Sequence, residues 1–149
     1  MPADPALLAR WIAGWALARG KPAPRAVETG WRVDVDEPDQ RARYAFSHAA
    51  PEIAALAAGI DDPLVFIKVC DEAERLSPLL PPSWAIKRSG HMMTTPAITF
   101  AAAPPRGYAF IGREVAGGLR VRIWRDGEEI GRGGAVVSGP YAIYDRIVV

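Results

Sequence analysis

The last forty residues alternate between short apolar runs and turn signals, which constrains the fold more than any other feature. Apolar residues alternate with arginines over 119–123, and Asp126-Gly127 follows. This dipeptide favours a two-residue hairpin, because both central residues of a type I′ turn need positive φ. Residues 130–137 then return, a Ser-Gly-Pro turn follows, and residues 141–149 extend again. The pattern predicts a three-stranded antiparallel meander over 119–149, preceded by a strand over 108–114.

Upstream of this region, helical and strand periodicities alternate. The expected elements are a helix that Asp4-Pro5 opens and Gly20 ends, strands over 31–36 and 41–47, a helix that Pro51 opens, a strand over 64–70 buried on both faces, a short helix from Asp71 as N-cap to Leu76, and a strand over 84–95. These elements predict an α+β fold with an antiparallel or mixed sheet and flanking helices. We expect a single domain over 1–149, with a helix and strand portion over 1–107 and the meander over 108–149.

Composition excludes several classes of function. The 149 residues are 50% hydrophobic and 23% charged, with a net charge of +1, so neither nucleic acid nor an anionic membrane is an expected partner. One cysteine and two histidines allow no internal disulfide and favour no metal site. The sequence has no signal-peptide pattern and no apolar run of membrane-spanning length, so we expect a cytoplasmic protein.

The carboxyl-terminal strands resemble those of a known enzyme family. Residues 125–133 read Arg-Asp-Gly-Glu-Glu-Ile-Gly-Arg-Gly, and residues 141–149 read Tyr-Ala-Ile-Tyr-Asp-Arg-Ile-Val-Val. These segments are similar to the second, third and fourth strands of GNAT-type N-acetyltransferases, in which a hairpin leads into E-I-x-G-x-G. The family's two helices between its first and second strands have no room between Glu114 and Leu119. Residues 1–107 would therefore be an added portion that supplies the wall of the substrate site.

The resemblance implies transfer of an acetyl group from acetyl-CoA to an amine on a small molecule or a peptide. It also implies that the pantetheine arm lies beside backbone groups of Ile147, Val148 and Val149. The family's R/Q-x-x-G-x-G/A loop, which holds the pyrophosphate at a helix N-terminus, is expected after residue 149. On this interpretation the chain is the N-terminal part of such an enzyme and is inactive by itself.

Two polar residues of the final strand are candidates for catalysis. Tyr144 is a potential general acid for a departing thiolate, although a tyrosine on a sheet is commonly a surface residue. Asp145 lies in the register of Ile143 among aliphatic residues, so its carboxylate is expected to be either paired or functional. The general base and the acceptor are not identified by the sequence.

Three other interpretations are weighed against this one. The final strand could be the edge through which a non-catalytic module binds a partner or forms a homodimer. Cys70 with Asp71, His48 and His91 could form a hydrolase, but a thiol that ends a buried strand is normally inert. The glycine-rich residues 131–135 lack the spacing of a phosphate-binding loop, and within a strand they favour a bulge or a close approach.

Overall fold

The computed structural model describes residues 2–87, 90, 92–96, 103–115 and 117–149, which form two compact units. The first unit comprises Met1–Ile12 and Lys21–Met93, and the second comprises Ala13–Gly20 and Thr94–Val149. Each unit has its own four-stranded sheet. The α+β class is confirmed, with two mostly antiparallel sheets. The predicted meander lies in the second unit, the predicted N-terminal portion contributes to both units, and the single-domain organisation stays a prediction.

The helices and strands follow the chain in a simple order. They are α1 (Pro5–Ala18), β1 (Arg25–Val27), β2 (Gly30–Glu37), β3 (Gln40–Phe46), α2 (Glu52–Ala58), β4 (Val65–Val69), α3 (Ala73–Leu76) with a following 3-10 turn (Ser77–Leu79), β5 (Tyr108–Val115), β6 (Gly118–Arg125), β7 (Glu128–Ser138) and β8 (Tyr141–Val148). Strand β1 and the 3-10 turn were not predicted from the sequence.

Helix α1 begins where the sequence predicted. The Oδ1 atom of Asp4 accepts hydrogen bonds from the backbone N–H groups of Ala6 at 2.6 Å and Leu7 at 3.1 Å. These contacts satisfy donors that the first helical turn leaves free. The helix ends at Ala18, and Gly20 follows with a φ of +63°. Both predicted ends are therefore confirmed.

The first sheet has the order β1-β2-β3-β4, in which β1, β2 and β3 are antiparallel and β4 runs parallel to β3. Helix α2 lies in the connection between β3 and β4, because parallel neighbours need a crossover. Tyr44, Phe46 and Ile53 form the centre of one buried cluster. Partly buried apolar residues surround this centre: Val27, Leu56, Ile60, Val65, Ile67, Val69, Leu76, Leu79 and Leu80.

Two predictions for the first unit are wrong: that β4 is buried on both faces, and that Asp71 is the N-cap of α3. Strand β4 is an edge strand in which no residue is fully buried, because nothing described pairs with its outer edge. The N-cap of α3 is Glu72, because the side chain of Asp71 turns back and accepts the backbone N–H of Ala49 at 3.1 Å.

The strand predicted over 84–95 is also wrong for the residues described there, 84–87, 90 and 92–95, none of which is a strand. The backbone N–H of Trp84 bonds Pro81 O at 2.9 Å in a turn. Its indole N–H donates to Ala57 O at 3.0 Å, which fixes the tryptophan against the end of α2.

The second sheet is an antiparallel meander in the order β5-β6-β7-β8. The strand predicted over 108–114 joins it, so the meander has four strands. Asp126 and Gly127 have φ values of +51° and +84°, which confirms the type I′ geometry of the β6–β7 hairpin.

Candidate functional site

Strand β8 forms one edge of the second sheet. It pairs with β7, and within the described residues no strand pairs with its other side. The predicted coenzyme-binding residues lie at its end, and Ile147, Val148 and Val149 are 67%, 50% and 99% exposed. A strand edge presents backbone N–H and C=O groups that an extended ligand can pair with.

A bulge distorts β8 just before these residues. Arg132 is opposite Val148, whereas Gly134 is opposite Asp145. Two residues of β8, Arg146 and Ile147, therefore face the single residue Gly133, and Arg146 has a φ of +54°. A bulge bends its strand and turns backbone groups out of the ladder, and bulges are frequent next to functional sites.

Tyr144 and Asp145 point to opposite faces of the second sheet. Tyr144 is opposite Ala135 and is 59% exposed. Asp145 accepts two hydrogen bonds from Arg19, at 2.9 Å and 3.0 Å. The Asp145 carboxylate is therefore paired, which is one of the two alternatives expected from the sequence, paired or functional. A catalytic role for Tyr144 or Asp145 stays a prediction.

The face of the sheet that carries Asp145 also carries four arginines, and we call it the arginine face. Residues directly opposite each other on neighbouring strands share a face. One such row joins Arg113, Arg120, Gly134 and Asp145, and the next row joins Ile111, Arg122, Arg132 and Val148. A third row, Val115, Gly118, Val136 and Ile143, is apolar.

A groove of about 530 Å³ lies on the arginine face. Arg120, Arg122, Arg132 and Arg146 line it, together with Asp145, and Val115 and Val136 form its apolar side. Gly134 lies between Arg120 and Asp145. We call this the arginine groove. Such a volume is in the range of small-molecule sites, and guanidinium groups suit oxyanions.

The sequence analysis missed the arginine groove, and a second bulge explains why. The Asp126-Gly127 hairpin places Arg125 opposite Glu128. A regular ladder from that pair would place Arg132 opposite Val121, on the other face from Arg122. The register instead shifts between Ile123 and Trp124, so that Arg132 lies opposite Arg122. The alternating arginines of β6 could have indicated a basic face, but no feature of the sequence indicated the bulge.

A smaller cleft in the first unit is lined by His48, Asp71 and Arg75, among others. The backbone N–H of Ala49 donates to Asp71 and lowers the pKa of its carboxyl group. Arg75 lies 3.6 Å from the same carboxylate. Asp71 thus links the backbone at Ala49 to Arg75 of α3.

The structure gives no support to a nucleophilic Cys70. Burial raises the pKa of its thiol, which lowers the reactive thiolate fraction. Among the described residues, its sulfur makes no hydrogen bond to a histidine; His48 Nδ1 is 3.0 Å from Ser47 Oγ. His91, the other histidine of that hypothesis, lies outside the described residues.

Two features are absent from the described part of the chain. No group of three or more histidine, cysteine, aspartate or glutamate side chains is arranged to hold a metal ion. None of the helices there has the length and apolar character needed to cross a bilayer.

Comparison with known proteins adds no relative. No protein-family model matches the chain, and searches of curated proteins and of solved structures gave no match.

Proposed function

We propose that this chain is the N-terminal part of a GNAT-type N-acetyltransferase of the cytoplasm. The full enzyme would transfer an acetyl group from acetyl-CoA to the amine of a small molecule or a peptide. The acceptor nitrogen would attack the thioester carbonyl, so that a C–N bond forms, the C–S bond breaks and the thiolate takes up a proton.

One observation carries the proposal: β8 is in register within an antiparallel meander, its outer edge is unpaired within the described residues, and a bulge at Arg146 precedes the exposed end. This geometry suits a ligand arm with amide groups, which can pair with backbone like an added strand. It fits the roles that the resemblance gives to Ile147, Val148 and Val149.

The residues of this chain would bind and orient. Backbone groups at 147–149 would hold the pantetheine arm, and fixing the thioester in this way accounts for much of the acceleration in such reactions. Tyr144 and Asp145 are the candidates for proton transfer, and both carboxylate oxygens of Asp145 already accept hydrogen bonds from Arg19. No segment of 1–149 has the R/Q-x-x-G-x-G/A pattern, so the pyrophosphate would be bound by sequence that follows.

The test begins with the gene. The codons after residue 149 should encode R/Q-x-x-G-x-G/A within a few residues, and a stop codon there would refute the proposal. The protein that includes this segment should release CoA thiol from acetyl-CoA when supplied with a panel of primary amines. The 149-residue chain alone should bind acetyl-CoA more weakly than the micromolar range.

The same edge supports one alternative, a non-catalytic module that pairs its strand with a second copy or another protein. The exposed apolar side chains at Ile147, Val148 and Val149 favour it. A homodimer through β8 would give twice the monomer mass in sedimentation, and Val148→Lys should reduce the association. A monomer at all concentrations would count against the homodimer.

A further inference from the structure

We propose that the arginine groove, lined by Arg120, Arg122 and Arg132, is a binding site for a small ligand with a dianionic oxyanion group, such as a phosphate monoester or a dicarboxylate. Asp145, Arg146 and Val148 of β8 also line the groove, so it borders the β8 edge, but the inference does not depend on acetyl transfer.

The first argument is the pairing of like charges. Arg113 lies directly opposite Arg120 on β5 and β6, and Arg122 lies directly opposite Arg132 on β6 and β7. Like charges in directly opposite positions destabilise a sheet. Two such pairs in adjacent rows are a cost to the unliganded fold, and a bound anion would offset it.

The second argument is the local charge balance. Glu129 is the single acid paired with any of these four arginines in the described part of the chain, 3.6 Å from Arg122 and 3.8 Å from Arg132. Asp145 lies in the row of Arg120, but Arg19 occupies both of its oxygens. The arginine face therefore keeps an excess positive charge although the whole chain is near neutral.

The third argument is space. Gly134 lies in the row between Arg120 and Asp145 and has no side chain, so a gap remains beside the guanidinium groups. The Arg122 and Arg132 side chains are 64% and 65% exposed, which leaves their donors accessible to a dissolved ligand. Val115 and Val136 offer an apolar wall for the carbon part of that ligand.

The size and charge of the groove favour a small molecule over a macromolecule. A guanidinium presents donors in a planar fork that matches carboxylate and phosphate oxygens. The guanidinium groups of Arg120, Arg122 and Arg132, which share the arginine face around a groove of about 530 Å³, suit one or two oxyanion groups. The two arginine rows of this face hold four arginines in all, Arg113, Arg120, Arg122 and Arg132, whereas nucleic acid would contact a longer row of cations.

Titration calorimetry at fixed ionic strength tests the proposal, with ribose 5-phosphate and malonate as separate probes. The probe that binds more tightly identifies the ligand class. We expect a dissociation constant below about 1 mM for that probe and a loss of about tenfold in Arg120→Gln and in Arg122→Gln. Arg125→Gln is the matched control, because Arg125 lies on the same strand but on the other face. The Arg125→Gln variant should bind the probe with the same affinity as the unaltered protein.

A second measurement uses the unaltered protein and does not depend on the folding of variants. Phenylglyoxal modifies accessible arginines, and mass spectrometry locates the products. The bound probe should slow modification of Arg120, Arg122 and Arg132 but not of Arg125. Equal weakening in the control variant, uniform protection of all arginines, no saturable binding of either probe, or tighter binding of a short oligonucleotide would each overturn the proposal.

Discussion

Arg19 and Asp145 are joined by two parallel hydrogen bonds, from Nε to Oδ2 at 2.9 Å and from Nη2 to Oδ1 at 3.0 Å. The side chains are 26% and 16% exposed. Arg19 also stacks over Trp15, with 4.7 Å between the guanidinium carbon and the ring centroid. The pair explains why an acidic residue is accommodated next to Ile143 on β8.

Removing this ion pair should destabilise the fold. We expect Asp145→Asn to lower the free energy of unfolding by about 1–2 kcal/mol, between the values of exposed and buried pairs. A double-mutant cycle with Arg19→Gln, measured by urea denaturation, should show coupling. Asp126→Asn, at a side chain that is 84% exposed, should change stability by less than about 0.5 kcal/mol. Additive effects of the Arg19 and Asp145 substitutions would contradict the prediction.

Gly14 and Ile143 approach so closely that a methyl group does not fit between them. A Cβ at Gly14 would lie 2.3 Å from Ile143 Cδ1 and 2.5 Å from Cγ1. We expect Gly14→Ala to destabilise by about 1–3 kcal/mol through overpacking. In an Ile143→Ala background the loss should be smaller, because only the Cβ of residue 143, at 3.1 Å, remains close to the added methyl group. Thermal unfolding of the four proteins checks this reduction, and an equal loss in both backgrounds would refute the prediction.

The β6–β7 turn should depend on its glycine. Gly127 has a φ of +84°, a conformation that a residue with a Cβ adopts only with strain. Gly127→Ala should destabilise by about 1–2 kcal/mol. Gly112→Ala is the control, since its Cβ would meet only Leu119 Cδ1 at 3.4 Å, and its effect should stay within about 0.5 kcal/mol. Equal effects in denaturant titrations would contradict the assigned turn.

Asp71 should contribute to acid sensitivity. The hydrogen bond from Ala49 N–H lowers the pKa of Asp71 below the usual value of an aspartate side chain. A lowered folded-state pKa gives stability that is present above the unfolded pKa and is lost as pH falls through the folded one. The wild type should therefore lose more stability below about pH 4 than Asp71→Asn does. Parallel stability curves for the two proteins in acid would show that Asp71 is not responsible.

Cys70 should be a poor nucleophile in the folded protein. Burial raises the pKa of its thiol, so iodoacetamide should alkylate it more slowly in buffer than in denaturant at the same pH. Mass spectrometry of timed samples gives both rates. Faster alkylation of Cys70 in the folded state would support the cysteine hydrolase hypothesis.

Local signals were the part of the fold that the sequence predicted well. Asp4 accepts the N–H groups of the first turn of α1, and Asp126-Gly127 forms the expected turn. Both features depend on residues adjacent in the chain. The strand expected over 84–95 is absent from the residues described there, and Trp84 instead makes a distant contact with Ala57 that local periodicity does not reveal.

The candidate sites were predictable only in part. The sequence indicated β8 and the charge of Asp145, but not that Arg19, which is 126 positions away, pairs with it. Strand alternation predicts the face of a side chain until a bulge intervenes, after which the prediction inverts. The extra residue near Ile130 does this for Arg132, and the bulge at Arg146 does it for the end of β8.

Because residues 13–20 belong to the same compact unit as 94–149, the unit cannot be excised by a single cut. A fragment that starts at residue 94 would lack Arg19, which pairs with Asp145, and Gly14, which packs closely against Ile143. Asp145 and Ile143 would then lose these contacts. Separate production of this unit therefore calls for a circular permutation, or for a synthetic 13–20 peptide added in trans.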